Sequence, residues 1–194
     1  MDESLASSGA ASQYALVSYI PDALGAFLNR LRAELVPGCR LLSHLTLLPP
    51  RMLSSLLPQL VEQLNERLAG SPSFQVELAD VEMFPVTAVV YLAIRDGRDC
   101  VEALHRELNS ALLSSNEPFQ FQPHITLAQQ MPPGQAAEAL ELARRRWREW
   151  RGERIFAVEH LTFVRNVDCE AWETISEHPL QPAAACSSAV RRSE

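Results

Sequence analysis

The stretch LLSHLTLL at 41–48 and its echo FQPHITLA at 121–128 carry one pattern: a His, an apolar residue, a Thr and an apolar run behind them. In an extended chain, residues i and i+2 point to the same side, about 7 Å apart along the strand. His44 and Thr46 therefore share one face, as do His124 and Thr126. Leu41, Leu45 and Leu47 take the opposite face of the first strand, and Phe121, Ile125 and Leu127 that of the second, so each strand has an apolar side to bury. Five His and five Thr in 194 residues give about 0.13 His-x-Thr triplets by random placement. Three are present, at 44–46, 124–126 and 160–162. The third, EHLTF, lacks the following Leu, and His160 and Thr162 read as ordinary strand residues.

Working outward, YALVSYI at 14–20 is β-rich and stops at Pro21-Asp22. Ala23, Leu24, Phe27, Leu28, Leu31 and Leu35 then recur at helical spacing. Pro37-Gly38 ends that helix. The first His-bearing strand follows, is closed by Pro49-Pro50, and leads to a second amphipathic helix over 52–69. FQVELADVEMF at 74–84 and TAVVYLAI at 87–94 read as a hairpin. Gly97 opens a helix through 113, and the second His-bearing strand precedes a helix over 135–150. ERIFAVEHLTFVRN at 153–166 and CEAWETISEHPL at 169–180 read as two closing strands, with a hairpin around 166–168. The order β-α-β-α-β-β-α-β-α-β-β predicts an α+β fold whose second half echoes its first. No G-x-G-x-x-G or P-loop occurs.

The chain is long enough for one folding unit of two packed lobes, expected over 13–180, with small polar mobile tails at 1–12 and 181–194. A net charge of −7 argues against coating long nucleic acid, which requires many phosphates to be neutralised at once. No apolar stretch is long enough to span a bilayer, and the N-terminus lacks a signal-peptide pattern, so a cytoplasmic monomer is expected. Cys39, Cys100, Cys169 and Cys186 form no C-x-x-C pair and read as reduced thiols.

Two imidazoles and two hydroxyls facing one cleft suit phosphodiester chemistry. In-line displacement at phosphorus needs a base on the attacking oxygen and an acid on the leaving oxygen, and His can serve as either near neutral pH. Thr hydroxyls can hold the non-bridging oxygens. Neither a metal nor another cofactor is expected.

The two triplets, with YALVSYI, the hairpin ending in VVYLAI and the terminal WETISEHPL, resemble the 2H phosphoesterase superfamily, the LigT-like or 2′-5′ RNA ligase group, over about residues 14–180. The resemblance implies a bilobal fold with antiparallel sheets around a central cleft and helices outside. It implies hydrolysis or transesterification of a 2′,3′-cyclic phosphate or 2′-5′ phosphodiester of RNA ends or nucleotides. His44 and His124 become the catalytic pair and Thr46 and Thr126 the phosphate-binding hydroxyls; in the hydrolytic direction His124 is the base and His44 the acid. Ser43 stands where Pro is usual, and Leu127-Ala128-Gln129-Gln130 where RNA-acting members often carry an Arg. A small non-RNA cyclic phosphate and a non-catalytic nucleotide- or RNA-binding module therefore stand as alternatives.

Arg51, just past the first triplet, and Phe84, in the hairpin, are candidate substrate contacts. RRRWREWRGER at 144–154 reads as a solvated helix face with Trp147 and Trp150 turned inward rather than as an RNA-binding patch. His105 and His178 read as structural or exposed.

Overall fold

The first two triplets each lie on a strand at the edge of its own four-stranded antiparallel sheet. In the computed structural model, which describes residues 13–132, 134–168 and 171–182, the elements run β1 (Gln13–Tyr19), α1 (Asp22–Leu35), β2 (His44–Met52), α2 (Leu57–Leu68), β3 (Phe74–Met83) and β4 (Val90–Asp96). They continue with α3 (Arg98–Leu108), a 3-10 turn (Ala111–Leu113), β5 (His124–Ala128), α4 (Gln135–Glu149), β6 (Ile155–Val158), β7 (His160–Asp168) and β8 (Ala171–Pro179). The sheet orders are β2-β1-β7-β8 and β5-β4-β3-β6, giving the expected bilobal α+β fold. The unit β1-α1-β2-α2 corresponds in order and role to β4-α3-β5-α4.

Helix α1 packs on β5 and α4, and α3 packs on β2 and α2. The helix that follows each inner strand thus lies against the His-bearing strand of the other unit. Leu16, Leu45 and Leu47 from one sheet and Leu78, Leu92 and Ile125 from the other belong to one continuous buried cluster. The alternation read from the sequence produces this directly: Leu45, Leu47, Ile125 and Leu127 are almost fully buried, while the His and Thr residues between them stay half-buried on the other face.

Three boundaries differ from the sequence reading. Pro49 and Pro50 do not close β2, which runs on to Met52. An edge strand tolerates proline because a missing N–H on the unpaired side breaks no ladder bond. Helix α2 accordingly starts later, at Leu57, with Pro58 in its first turn. Helix α3 stops at Leu108, and the next residues form the short 3-10 turn. Asn109 Oδ1 there accepts hydrogen bonds from the Arg51 guanidinium and the Ser115 N–H.

The largest correction concerns 153–166, which is two strands. β6 pairs with β3 of one sheet and β7 with β1 and β8 of the other. Glu159 alone separates them, and its carbonyl accepts from Leu180 N–H. The expected hairpin near 166–168 joins β7 to β8, its turn at 169–170 lying outside the described residues. The tails expected at 1–12 and 181–194 also lie outside them, except for Gln181 and Pro182. Gln181 is hydrogen-bonded to the backbone of Ser71 and Ser73. Cys39 and Cys100 are free thiols, whereas Cys169 and Cys186 are not among the described residues. None of the described helices is long and apolar enough to cross a membrane.

The entry into α1 is tight. A Cβ built on Gly25 would stand 1.9 Å from the Ile20 carbonyl oxygen, a backbone atom that cannot swing aside. Gly25→Ala is expected to cost about 1–3 kcal/mol, as overpacking does, seen as a lower urea midpoint with an unchanged slope.

Candidate active site

The two edge strands meet where the lobes join. The cavity between them has a volume of about 880 Å³, and His44, Thr46, His124 and Thr126 all line it. The two histidines are held alike. His44 Nδ1 lies 2.7 Å from the Leu42 carbonyl oxygen, and His124 Nδ1 lies 2.7 Å from that of Gln122. A carbonyl only accepts, so in each neutral ring Nδ1 carries the hydrogen and Nε2 keeps its lone pair. Each contact is made two residues back along the chain, which explains how one short sequence pattern produces one ring orientation twice.

Their surroundings differ. His124 lies against two aromatic rings, with Phe84 edge-on at 5.1 Å and Tyr91 at 5.3 Å between centroids. Phe84 and Tyr91 stack on each other at 4.1 Å. The Tyr91 hydroxyl donates to Glu82 Oε2 at 2.8 Å and accepts from the Gln122 side-chain amide at 3.3 Å. Burial, reinforced by Glu82, pushes its phenol up to about 12, so it remains a neutral donor. His44 has one ring neighbour, Tyr19, edge-on at 6.3 Å. Burial is the main cause that pulls His44 down to about 4, with Arg32 and His124 adding repulsion against its protonated form. His124 is also lowered, by burial. Both rings therefore favour the neutral form at pH 7.

Phe84, expected as a substrate contact, lines the cavity and packs on His124. Arg51 also lines the cavity, but its guanidinium is engaged by protein. It donates to the Pro49 carbonyl (2.9 Å), Asn109 Oδ1 (2.7 Å), the Leu113 carbonyl (2.8 Å) and Glu117 Oε1 (2.6 Å). It ties the segment after α3 to β2. His105 assists from α3, with Nδ1 2.8 Å from the Leu47 carbonyl oxygen, Nε2 3.5 Å from Glu117 Oε2, and its ring stacked on Phe121 at 3.6 Å.

His160 is exposed and Thr162 buried, and neither lines the cavity. His178 is buried between Asn65 and Ser176. In the arginine-rich run, Trp147 is buried and its indole N–H donates to the Ala79 carbonyl at 2.8 Å, while Trp150 stacks on Phe27 at 4.5 Å. Arg146 pairs with Glu34, and Arg154 lies over the Trp147 ring. Residues 144–149 of this run lie on α4, with Trp147 turned inward as expected.

The sequence reading missed Arg32. It is 3% exposed, lines the cavity, and donates from Nη1 to the Thr126 carbonyl. Its signal was present, because it falls four residues after Leu28 on the face that buries Leu24, Leu28, Leu31 and Leu35. An arginine on the apolar stripe of a helix is a buried charge that requires an explanation.

Residues 20–169 match the family model of the 2′-5′ RNA ligase superfamily. A protein of Geobacillus kaustophilus bearing the name "Putative phosphoesterase" is 25% identical over 135 residues, 65% of this chain and 74% of its own length. One of the same description from Halalkalibacterium halodurans is 25% identical over 138 residues, covering 66% and 78%. Among solved structures, E. coli LigT complexed with ATP superposes with a TM-score of 0.60 at 20% identity, covering 88% of this chain and 98% of that one. Kluyveromyces marxianus Usb1 with uridine monophosphate gives 0.51 at 14% identity, covering 88% and 99%. At these identities the two structures speak for the fold alone.

The depressed histidines make stability depend on pH. A His whose folded value lies below its ordinary 6.5 binds fewer protons native than unfolded as pH falls. Its contribution is complete above 6.5 and drains away as pH drops, to about 4 for His44. Up to roughly 3 kcal/mol is expected from His44 over that window. Urea midpoints between pH 7 and pH 4 should show the loss, and His44→Gln should flatten it. Nitrogen-15 NMR should find His44 titrating near pH 4, with Nδ1 protonated in its neutral form.

Proposed function

Because this chain belongs to the 2′-5′ RNA ligase superfamily, within the 2H phosphoesterases, we propose that it cleaves a 2′,3′-cyclic phosphate or 2′-5′ phosphodiester of a nucleotide or RNA end by paired-histidine acid–base catalysis. The observation that carries this reading is the twin anchoring of His44 and His124. Each Nδ1 is engaged by a carbonyl two residues back, so each ring keeps Nε2 for the cleft. Two imidazoles with the same donor spent and the same nitrogen free can act on opposite sides of one phosphorus.

In hydrolysis, Nε2 of His124 takes the proton of water as its oxygen bonds to phosphorus. The bond from phosphorus to the leaving ribose oxygen breaks, and His44 supplies the proton that oxygen needs. The assignment of base and acid follows the family resemblance, and it reverses in the ligation direction. Burial and the charge of Arg32 hold His44 neutral at pH 7, so the anionic substrate itself must favour its protonation. Thr46 and Thr126, each two residues beyond a histidine on the same strand face, donate to the non-bridging oxygens.

A nucleotide-sized substrate or a short RNA end fits better than a long RNA. The cavity of about 880 Å³ is in the range of small-ligand sites, the chain carries a charge of −7, and Arg144, Arg146 and Arg154 of the arginine-rich run are engaged by Glu141, by Glu34 and Glu149, and by the Trp147 ring. LigT was solved with ATP and Usb1 with uridine monophosphate, which agrees with a nucleotide in such a cleft. Leu42, Val86 and Phe119 line the same cavity with much of their surface exposed. They supply apolar contact for a base, or for the organic part of a smaller non-RNA cyclic phosphate.

Turnover of 2′,3′-cyclic nucleotides and of 2′-5′-linked dinucleotides with EDTA present tests the reading. His44→Ala and His124→Ala are each expected to lose about 100- to 10,000-fold in kcat, and Thr46→Ala or Thr126→Ala about 10- to 1,000-fold. Activity that survives both His substitutions would sink the assignment, and tight nucleotide binding without turnover would favour a binding module. Since both histidines titrate below 6.5, kcat/KM should peak on the acid side of that value and fall about tenfold per pH unit above the upper limb.

A further inference from the structure

Two arginines line the cavity from positions that are almost fully buried, Arg51 at 4% exposure and Arg32 at 3%. They are bonded differently. Arg51 has four of its five N–H groups on protein acceptors, one of them the Glu117 carboxylate. Arg32 donates from Nη1 to the Thr126 carbonyl and from Nη2 to Cys39 Sγ at 3.7 Å, and its Nε–H is buried with no acceptor. No carboxylate among the described residues forms an ion pair with it. The acids of its own helix do not fill that role, for Glu34 is taken by Arg146 and Asp22 lies three turns away at the start.

A buried cation without an anion is costly, and folds normally pair it or leave it out. Capping a strand edge does not require a guanidinium, because the equivalent place in the other unit is served by an imidazole. Arg32 stands three residues before the end of α1 and His105 three residues before the end of α3. Each reaches an edge-strand carbonyl of the opposite unit, Thr126 for Arg32 and Leu47 for His105. An imidazole suffices in one case. In the other the chain maintains a permanent positive charge, with a forked set of unused donors, between Thr126 and the cavity, close enough to His44 to oppose its protonation.

We propose that Arg32 is the anion-binding cation of the cleft, supplying charge and N–H donors to a non-bridging oxygen of the substrate phosphate beside Thr126. The missing counter-ion of the native fold is then the phosphoester itself. Binding an anion there also relieves the repulsion on His44, so a phosphate group promotes protonation of the histidine that gives up a proton. Occupancy by an anion and readiness of the acid are coupled through one guanidinium. This assignment rests on the catalytic reading above for its use in turnover, but not for anion binding.

The test separates the hydrogen bond from the charge. Arg32→Gln keeps a donor for the Thr126 carbonyl and removes the charge, and Arg32→Lys keeps the charge and loses the fork. Affinity for inorganic phosphate is measured on the full chain by calorimetry at pH 7, with His44 titration followed by nitrogen-15 NMR with and without phosphate. Arg32→Gln is expected to weaken phosphate at least tenfold and to move His44 titration to higher pH, and Arg32→Lys to recover most of the affinity. Phosphate affinity in Arg32→Gln equal to wild type would overturn the assignment and leave Arg32 a structural cap. If Arg32→Gln does not fold, Arg32→Met takes its place in the calorimetry, and phosphate affinity in a folded Arg32→Met equal to wild type would overturn the assignment in the same way. The two readings part cleanly. Arg32-dependent phosphate binding in a protein that turns over no phosphodiester keeps this site and removes the catalytic reading. Unaltered phosphate binding in Arg32→Gln beside His-dependent turnover does the reverse.

Discussion

A strand at the edge of a sheet has carbonyl and N–H groups with no partner on one side, and in a buried setting those groups must be satisfied. This protein places both histidine-bearing strands, β2 and β5, in that position and buries both edges where the lobes meet. Side chains from helices of the opposite unit answer the need. His105 serves the Leu47 carbonyl and Arg32 the Thr126 carbonyl. The cleft exists because these edges are closed by side chains from helices instead of by further strands. A ninth strand in either gap would separate β2 from β5 and part the histidines.

Within that frame the two halves perform the same local task and differ in environment. The bond from each histidine Nδ1 to a carbonyl two residues back sets the same tautomer twice. The packing around each ring then diverges. His124 is clamped by Phe84 and Tyr91, with Glu82 and Gln122 fixing the tyrosine, while His44 faces Tyr19 and the charge of Arg32. A near-symmetric backbone thus carries two rings that are held alike and surrounded differently, with burial lowering the proton affinity of both.

Much of this was readable from the chain. Alternation in HLTLL and HITLA predicted which residues are buried and which face the cleft, because period-two patterning is a direct record of a half-buried strand. The hairpin of β3 and β4 and the four helices followed from the same logic. The errors had physical causes. Pro49-Pro50 reads as a terminator only if β2 is paired on both sides, and sheet position is not a local property. The division at Glu159 did leave a trace: members of the main core run Phe156, Val158 and then Leu161, Phe163, so the phase facing that core flips, while Thr162 and Val164 are buried on the other face of β7. Arg51 stood near the right place, but its four acceptors come largely from residues 109–117, far along the chain. Arg32 carried a local signal on the apolar stripe of α1, but the carbonyl it serves lies 94 residues along the chain.

The exchange of helices between units has a consequence for how little of this chain can stand alone. A peptide ending after α2 would contain β1, α1, β2 and its histidine, but the helix that covers β2 belongs to residues 98–108. Its own α1 would project an apolar face, with Arg32 upon it, toward a strand it does not possess. Such a half could satisfy both deficits only by meeting a second copy of itself, each lending α1 to the other's β2 across a two-fold axis. The present chain is the covalent version of that pair. Because the two halves differ in sequence, the guanidinium of Arg32 and the imidazole of His105 occupy one place in the plan without having to be alike.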